Sequence, residues 1–171
     1  TCEVKSGYGL SVDDEIKILD AIQLLKKHHA IDLIQNCLAD NMRPPEFTES
    51  RLYLETVLSD LLPAIKEQQL ANRVDIFIED TAFTEQESIE YLLAAKELGF
   101  EITVHADQFS TGGSKVAAEV GAISADHLEA SGEEEIVLLR DAGVVATVLP
   151  GASLGLGMHY APAREMLDGG L

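Results

Sequence analysis

The chain has 171 residues, close to one domain at roughly 150 residues each, and 46% hydrophobic with 25% charged residues is the composition of a folded globular domain rather than a disordered one. Thirty acidic against twelve basic residues give a formal charge of −18, which repels phosphate backbones and anionic lipid and argues against nucleic acid and membrane surfaces as partners. No apolar run reaches the ~20 residues that span a bilayer, and no charged-then-apolar signal segment opens the chain, so the cytoplasm is the expected compartment. The two cysteines, Cys2 and Cys37, show no close pairing of the kind a zinc knuckle or redox motif needs. The chain starts without Met, inside what reads as a strand, and stops at a helix end; the expectation is an internal fragment.

In chain order, Thr1–Lys5 reads as a strand and Val12–His29 as an amphipathic helix, with Ile16, Leu19, Ile22 and Leu25 recurring every third residue. Ile31–Leu38 is the second strand. A turn at Arg43-Pro44-Pro45-Glu46 leads to a helix capped by Thr48 and running to about Gln69. Val74–Ile78 is strand three, followed by a helix Glu85–Leu98 capped by Thr84 and stopped at Gly99. Ile102–His105, Ser124–His127 and Val144–Leu149 are the remaining strands. Helices near Ser114–Val120 and Ser131–Ala142 separate them, ending at Gly121 and Gly143, and Pro162–Leu167 starts a last helix.

Strands beginning near positions 1, 31, 74, 101, 124 and 144 have the spacing of βα units rather than hairpins, which predicts a parallel α/β fold. Apolar runs such as VVATVL fit strands buried on both faces. Length alone suits an open, doubly wound sheet of six strands, because eight units of a closed barrel would need roughly 230 residues.

Polar groups gather where strands end: Lys5 to Gly9, Asp40-Asn41, Glu79-Asp80, His105 to Gln108, and Asp126 to Glu129. Loops after strand C-termini build the active sites of α/β barrels, so this convergence points to a site, although any strand end meets solvent. His105 is the sharpest single residue, closing an apolar strand ahead of two polar groups, and neutral imidazole is a common zinc or iron ligand. His127 ends the next strand, which sets two imidazoles side by side in a parallel sheet. His28 and His29 read as a structural helix end, and His159 lies in a Gly-rich loop. Gly151–Gly157 (GASLGLG) lacks the register of a dinucleotide loop, and no GxSxG elbow supports a serine nucleophile.

Taken together, EVKSGYGL (Glu3–Leu10), PPEF (Pro44–Phe47), HADQ (His105–Gln108), ADHLE (Ala125–Glu129) and LPG (Leu149–Gly151), in this order and spacing, resemble the imidazolonepropionase family of the amidohydrolase superfamily, over essentially the whole chain. The resemblance implies a partial TIM (β/α)8 barrel of six βα units, barrel strands two to seven, forming a single domain over 1–171. The first and last strands and the family's small β-sandwich would be missing. It also implies hydrolysis of the cyclic amide 4-imidazolone-5-propanoate to N-formimidoyl-L-glutamate in histidine breakdown, with one Zn or Fe ion and a homodimeric full-length protein. Carried over by position, His105 matches the metal ligand on the fifth barrel strand and His127 the catalytic histidine beside the metal. Tyr8, Gln108 and Asn41 match substrate contacts.

Three departures stand out. The family's His-x-His pair and strand-end Asp, and its substrate-gripping arginine, fall outside this sequence. Asn41 stands where members carry a substrate-contacting histidine, and an amide keeps the hydrogen bond but cannot titrate near neutrality. Competing readings are another cyclic-amide hydrolase or deaminase of the superfamily, or an inactive fragment whose open sheet edges invite aggregation. A doubly wound nucleotide-binding module ranks last.

Overall fold

Helices and short strands alternate along the chain as the spacing predicts, and each run of strands pairs in parallel. The computed structural model describes residues 1–40, 43–79 and 82–171, with Ala39 and Asp40 described by backbone alone; Asn41 and Asp80 therefore lie outside the described residues. Two units divide the chain: Thr1–Ile76 with Glu90–Glu101, and Phe77–Ile89 with Ile102–Leu171.

In the first unit, β1 (Cys2–Lys5) pairs with β2 (Leu33–Asp40), and β2 pairs with β3 (Arg73–Ile76) across a register shift between Cys37 and Asp40. Helix α1 (Val12–Lys26) starts at Ser11, whose hydroxyl accepts the Asp14 N–H at 3.2 Å, and three acidic residues in its first turn suit the positive end of the helix dipole. Its inward face buries Leu19 and Ile22. The helix closes at Lys26, earlier than expected, because the N–H groups of Lys27 and His28 turn back to the carbonyls of Leu24 and Leu25. His28 and His29 consequently lie beyond its end, exposed.

The helix expected to be capped by Thr48 and to run to about Gln69 begins at Ser50, its N-cap being Glu49, which makes no side-chain cap bond, and it is not uniform. α2 (Ser50–Thr56) passes through a π-helical turn (Val57–Leu61) into α3 (Leu62–Gln68). Pro63 explains the wide turn: it has no N–H to return to Ser59, and its ring crowds the preceding carbonyls. Leu61, Leu62 and Ile65 still reach the core. Cys37 is fully buried on β2, whereas Cys2 on β1 is exposed.

A charged ladder crosses these strands. Asp75, its side chain fully buried, pairs with Lys5 and accepts from Asn36 Nδ2 at 3.3 Å. Arg73 bridges Glu3 at 3.2 Å and Glu101 at 3.1 Å. Burial works against the Arg73 cation, but its hydrogen bonds to Glu101 and Glu3 outweigh that and raise its pKa.

In the second unit, which takes β4 (Glu101–Ala106) from Ile102 onward, β4 pairs with β5 (Ser124–His127) and β5 with β6 (Val145–Thr147), all parallel. Thr84 caps α4 (Glu85–Glu97) as the sequence predicts: Thr84 N and Oγ1 donate to the Glu87 carboxylate at 3.1 and 2.7 Å, and Glu87 N donates back to Thr84 Oγ1. α5 (Gly113–Val120) and α6 (Glu133–Ala142) stop at Gly121 and Gly143, both left-handed. Two expectations give way here. Val145 is 62% exposed, so VVATVL is not a strand buried on both faces, and β6 ends at Thr147. The glycine-rich GASLGLG is no loop but helix α7 (Pro150–Leu156), opened by Pro150 and stopped by Gly157, and α8 (Ala163–Asp168) follows. Among the described residues no helix is long and apolar enough to cross a membrane.

Candidate active site

Parallel pairing fixes the central geometry of the second unit. The β4–β5 register sets His105 opposite Asp126 and Ala106 opposite His127. The two imidazoles meet with ring centroids 5.2 Å apart and planes tilted by 45°, and Phe77 stands edge-on to His105 at 6.2 Å. His105 and Asp126 also offer ligand atoms within 4.8 Å of each other. One imidazole nitrogen and one carboxylate oxygen side by side are a donor pair that zinc or iron accepts, so these residues fit part of a metal site.

The backbone just past the strand ends is strained. Asp107, His127 and Leu128 adopt φ of 51°, 83° and 68°, a region that costs a residue with a side chain roughly 1–3 kcal/mol and that clusters at functional sites. Three groups of bonds hold it. Leu128 N donates to Ala106 O at 3.0 Å and Ala130 N to Asp107 O at 2.8 Å, lacing the two loops together. The fully buried Asp107 carboxylate accepts from Ser114 N at 3.1 Å, from Ser131 Oγ at 2.7 Å, and from Ser114 Oγ. Glu79, also buried, accepts Phe109 N at 2.8 Å and Ser110 Oγ at 2.6 Å, which fixes the chain just after the buried Gln108. Helix α5 presses against the same strand end: a Cβ on Gly113 would sit 2.6 Å from Ala106 Cα, so only glycine fits.

Glu129 stands behind His127. Its side chain is 3% exposed, Ser153 Oγ donates to one carboxylate oxygen at 2.7 Å, and the other lies 3.6 Å from His127 Nδ1. That distance is too long for a hydrogen bond, and the contact is an ion pair only when the imidazole is protonated. A buried carboxylate there favours an imidazole carrying its proton on Nδ1.

Tyr8 belongs to the first unit, on the loop after β1, and is 81% exposed. The buried Glu15 carboxylate accepts Gly7 N at 2.9 Å and Gly9 N at 2.6 Å, so both neighbours of Tyr8 are pinned. Phe47 of PPEF packs edge-on against Tyr53 at 5.1 Å. His159 lies exposed after α7. Of the residues singled out from sequence, His105 and His127 thus stand at the C-terminal ends of β4 and β5 and Gln108 on the loop after β4, while Asn41 falls outside the described residues. Glu15 did not stand out in the sequence; Glu79 and Asp107 were among the polar groups at the strand ends but carried no assigned role.

No family model matches the chain. Curated relatives do: the imidazolonepropionases of Bacillus cytotoxicus and Bacillus mycoides are each 45% identical over 174 residues, covering 100% of this chain and 41% of theirs. The chain belongs to the imidazolonepropionase family. It spans 41% of the length of these relatives. Among solved structures it is similar to guanine deaminase from C. acetobutylicum with bound guanine, at a TM-score of 0.72 and 16% identity over 100% of this chain and 45% of that one. It is also similar to a variant of atrazine chlorohydrolase from Arthrobacter aurescens complexed with zinc and atraton, at 0.70 and 16% over 99% and 42%. These likenesses show the fold, that of the amidohydrolase barrels, of which this imidazolonepropionase segment supplies six βα units. A part of a barrel, not the open doubly wound sheet that length alone favoured, is the reading these likenesses support.

Proposed function

We propose that the whole protein hydrolyses the cyclic amide 4-imidazolone-5-propanoate to N-formimidoyl-L-glutamate with one zinc or iron ion. The observation that carries this reading is the pair His105 and His127, ring to ring at the ends of adjacent strands, in a chain 45% identical to curated imidazolonepropionases. His105 would hold the ion, with the Asp126 carboxylate beside it. A divalent ion supplies a Lewis acid for the ring carbonyl and lowers the pKa of water toward ~7.

The chain's own residues do the rest. With its proton on Nδ1, His127 presents an unprotonated Nε2 that accepts a proton from the attacking water; once protonated, Nε2 donates to the lactam oxygen as negative charge builds there and passes the proton to the departing ring nitrogen. The Glu129 carboxylate behind Nδ1 keeps that imidazole turned with Nε2 forward. Gln108, held by the loop that Glu79 fixes, hydrogen-bonds the ring, and Tyr8 contacts the substrate from its pinned loop. Asn41, in the family's histidine position, offers a hydrogen bond without a titrating group.

The test is a ring-opening assay on the purified whole protein with 4-imidazolone-5-propanoate. Turnover is expected, and H127A is expected to lower kcat roughly 10²–10⁴-fold, the range of a lost general acid–base. A protein that opens another cyclic amide but leaves this substrate intact overturns the reading.

A further inference from the structure

We infer that Asp107 is a positioning residue, whose buried carboxylate ties the loop after β4 to the loop after β5 and so fixes the backbone that carries His127. The inference rests on the catalytic part proposed above for His127.

Two contiguous residues with side chains, His127 and Leu128, sit in the left-handed region, and that arrangement persists only where surrounding bonds over-determine it. The bonds that do so converge on Asp107. Its carbonyl receives Ala130 N at 2.8 Å and its carboxylate receives Ser131 Oγ at 2.7 Å, both from the segment that follows His127. Its other partners, Ser114 N and Ser114 Oγ, stand at the start of α5, whose N-cap is Gly112 and brings no side chain. A plain helix cap would explain the Ser114 bonds, because a carboxylate suits a helix N-terminus. It does not explain Ser131, which reaches the same carboxylate from 24 residues away on the far loop. A carboxylate at zero exposure with donors from both sides is a clamp between two loops, and His127 is the residue between strand β5 and that clamp. Ser131 is therefore the place to separate the two roles, since losing its hydroxyl leaves the α5 bonds intact.

The experiment is a double-mutant cycle in the whole protein, with Ser131→Ala and His127→Ala alone and together, followed by kcat, KM and amide hydrogen exchange. Ser131→Ala is expected to lower kcat about tenfold with KM changed less than about twofold, and to speed exchange at the Leu128 and Ala130 amides. On top of His127→Ala it is expected to cost nothing further, because a positioning residue has nothing left to position. Asp107→Asn, whose amide would point a donor at a donor, is expected to lose about a hundredfold in kcat; should it fail to fold, the serine variant still decides. Losses that multiply in the double variant, or a kcat unmoved by Ser131→Ala, overturn the positioning role and leave the function of His127 standing. An H127A protein with full kcat overturns that function, and the positioning role with it.

Discussion

Buried carboxylates without a cation must be neutralised by hydrogen-bond donors, and Glu15, Glu79 and Asp107 are each met by backbone N–H groups of a loop beside a candidate site residue. Removing the acceptor strands the donors. Glu15→Ala is expected to destabilise the protein by roughly 1–3 kcal/mol, the cost of leaving buried donors unmade, with Glu15→Gln between it and wild type; urea unfolding measures both. At this scale the sequence reveals a residue's type but not its partners. His105 and His127 were legible because strand ends and parallel spacing bring them together. Asp107 was not, because its role depends on serines seven and 24 residues away, and because a left-handed φ leaves no mark when the residue is not glycine.

Among elements, the terminators were the most legible. Gly121 and Gly143 stop their helices because a left-handed C-terminal residue without a Cβ costs least, and Thr84 with Glu87 three residues on forms a reciprocal cap. Thr84→Ala is expected to cost about 1 kcal/mol, read as a lower denaturant midpoint with an unchanged m-value. Glycine count misled at α7: Gly151 and Gly155 read as a loop, yet Pro150 at the first turn and Gly157 at the end bound a helix there. The length of the helical stretch before Gln69 was legible, whereas its π turn was not, because hydrophobic spacing drifts too little across five residues to betray one wider turn.

For the whole molecule, the βα spacing specified parallel units but not closure, since strand count and length alone fit an open sheet equally well; the motifs, through the family they mark, made the difference. Net charge was legible directly and has a testable result. Eighteen uncompensated negative charges repel one another in the folded state, and salt screens them. The melting midpoint of the chain is expected to rise as sodium chloride is raised from about 0.05 M to about 0.5 M, with a Debye length shrinking from over 10 Å to under 5 Å; an unchanged or falling midpoint in scanning calorimetry would count against self-repulsion.

The contrast between Cys2 at the surface and Cys37 sealed within β2 turns the first unit into its own stopwatch. A thiol reagent in excess modifies Cys2 at the rate of an open thiol, while Cys37 waits for strand β2 to come free. The lag between the two modifications, resolved by mass spectrometry over time, reads the opening frequency of Thr1–Ile76 and its companions, with no probe introduced and no denaturant added.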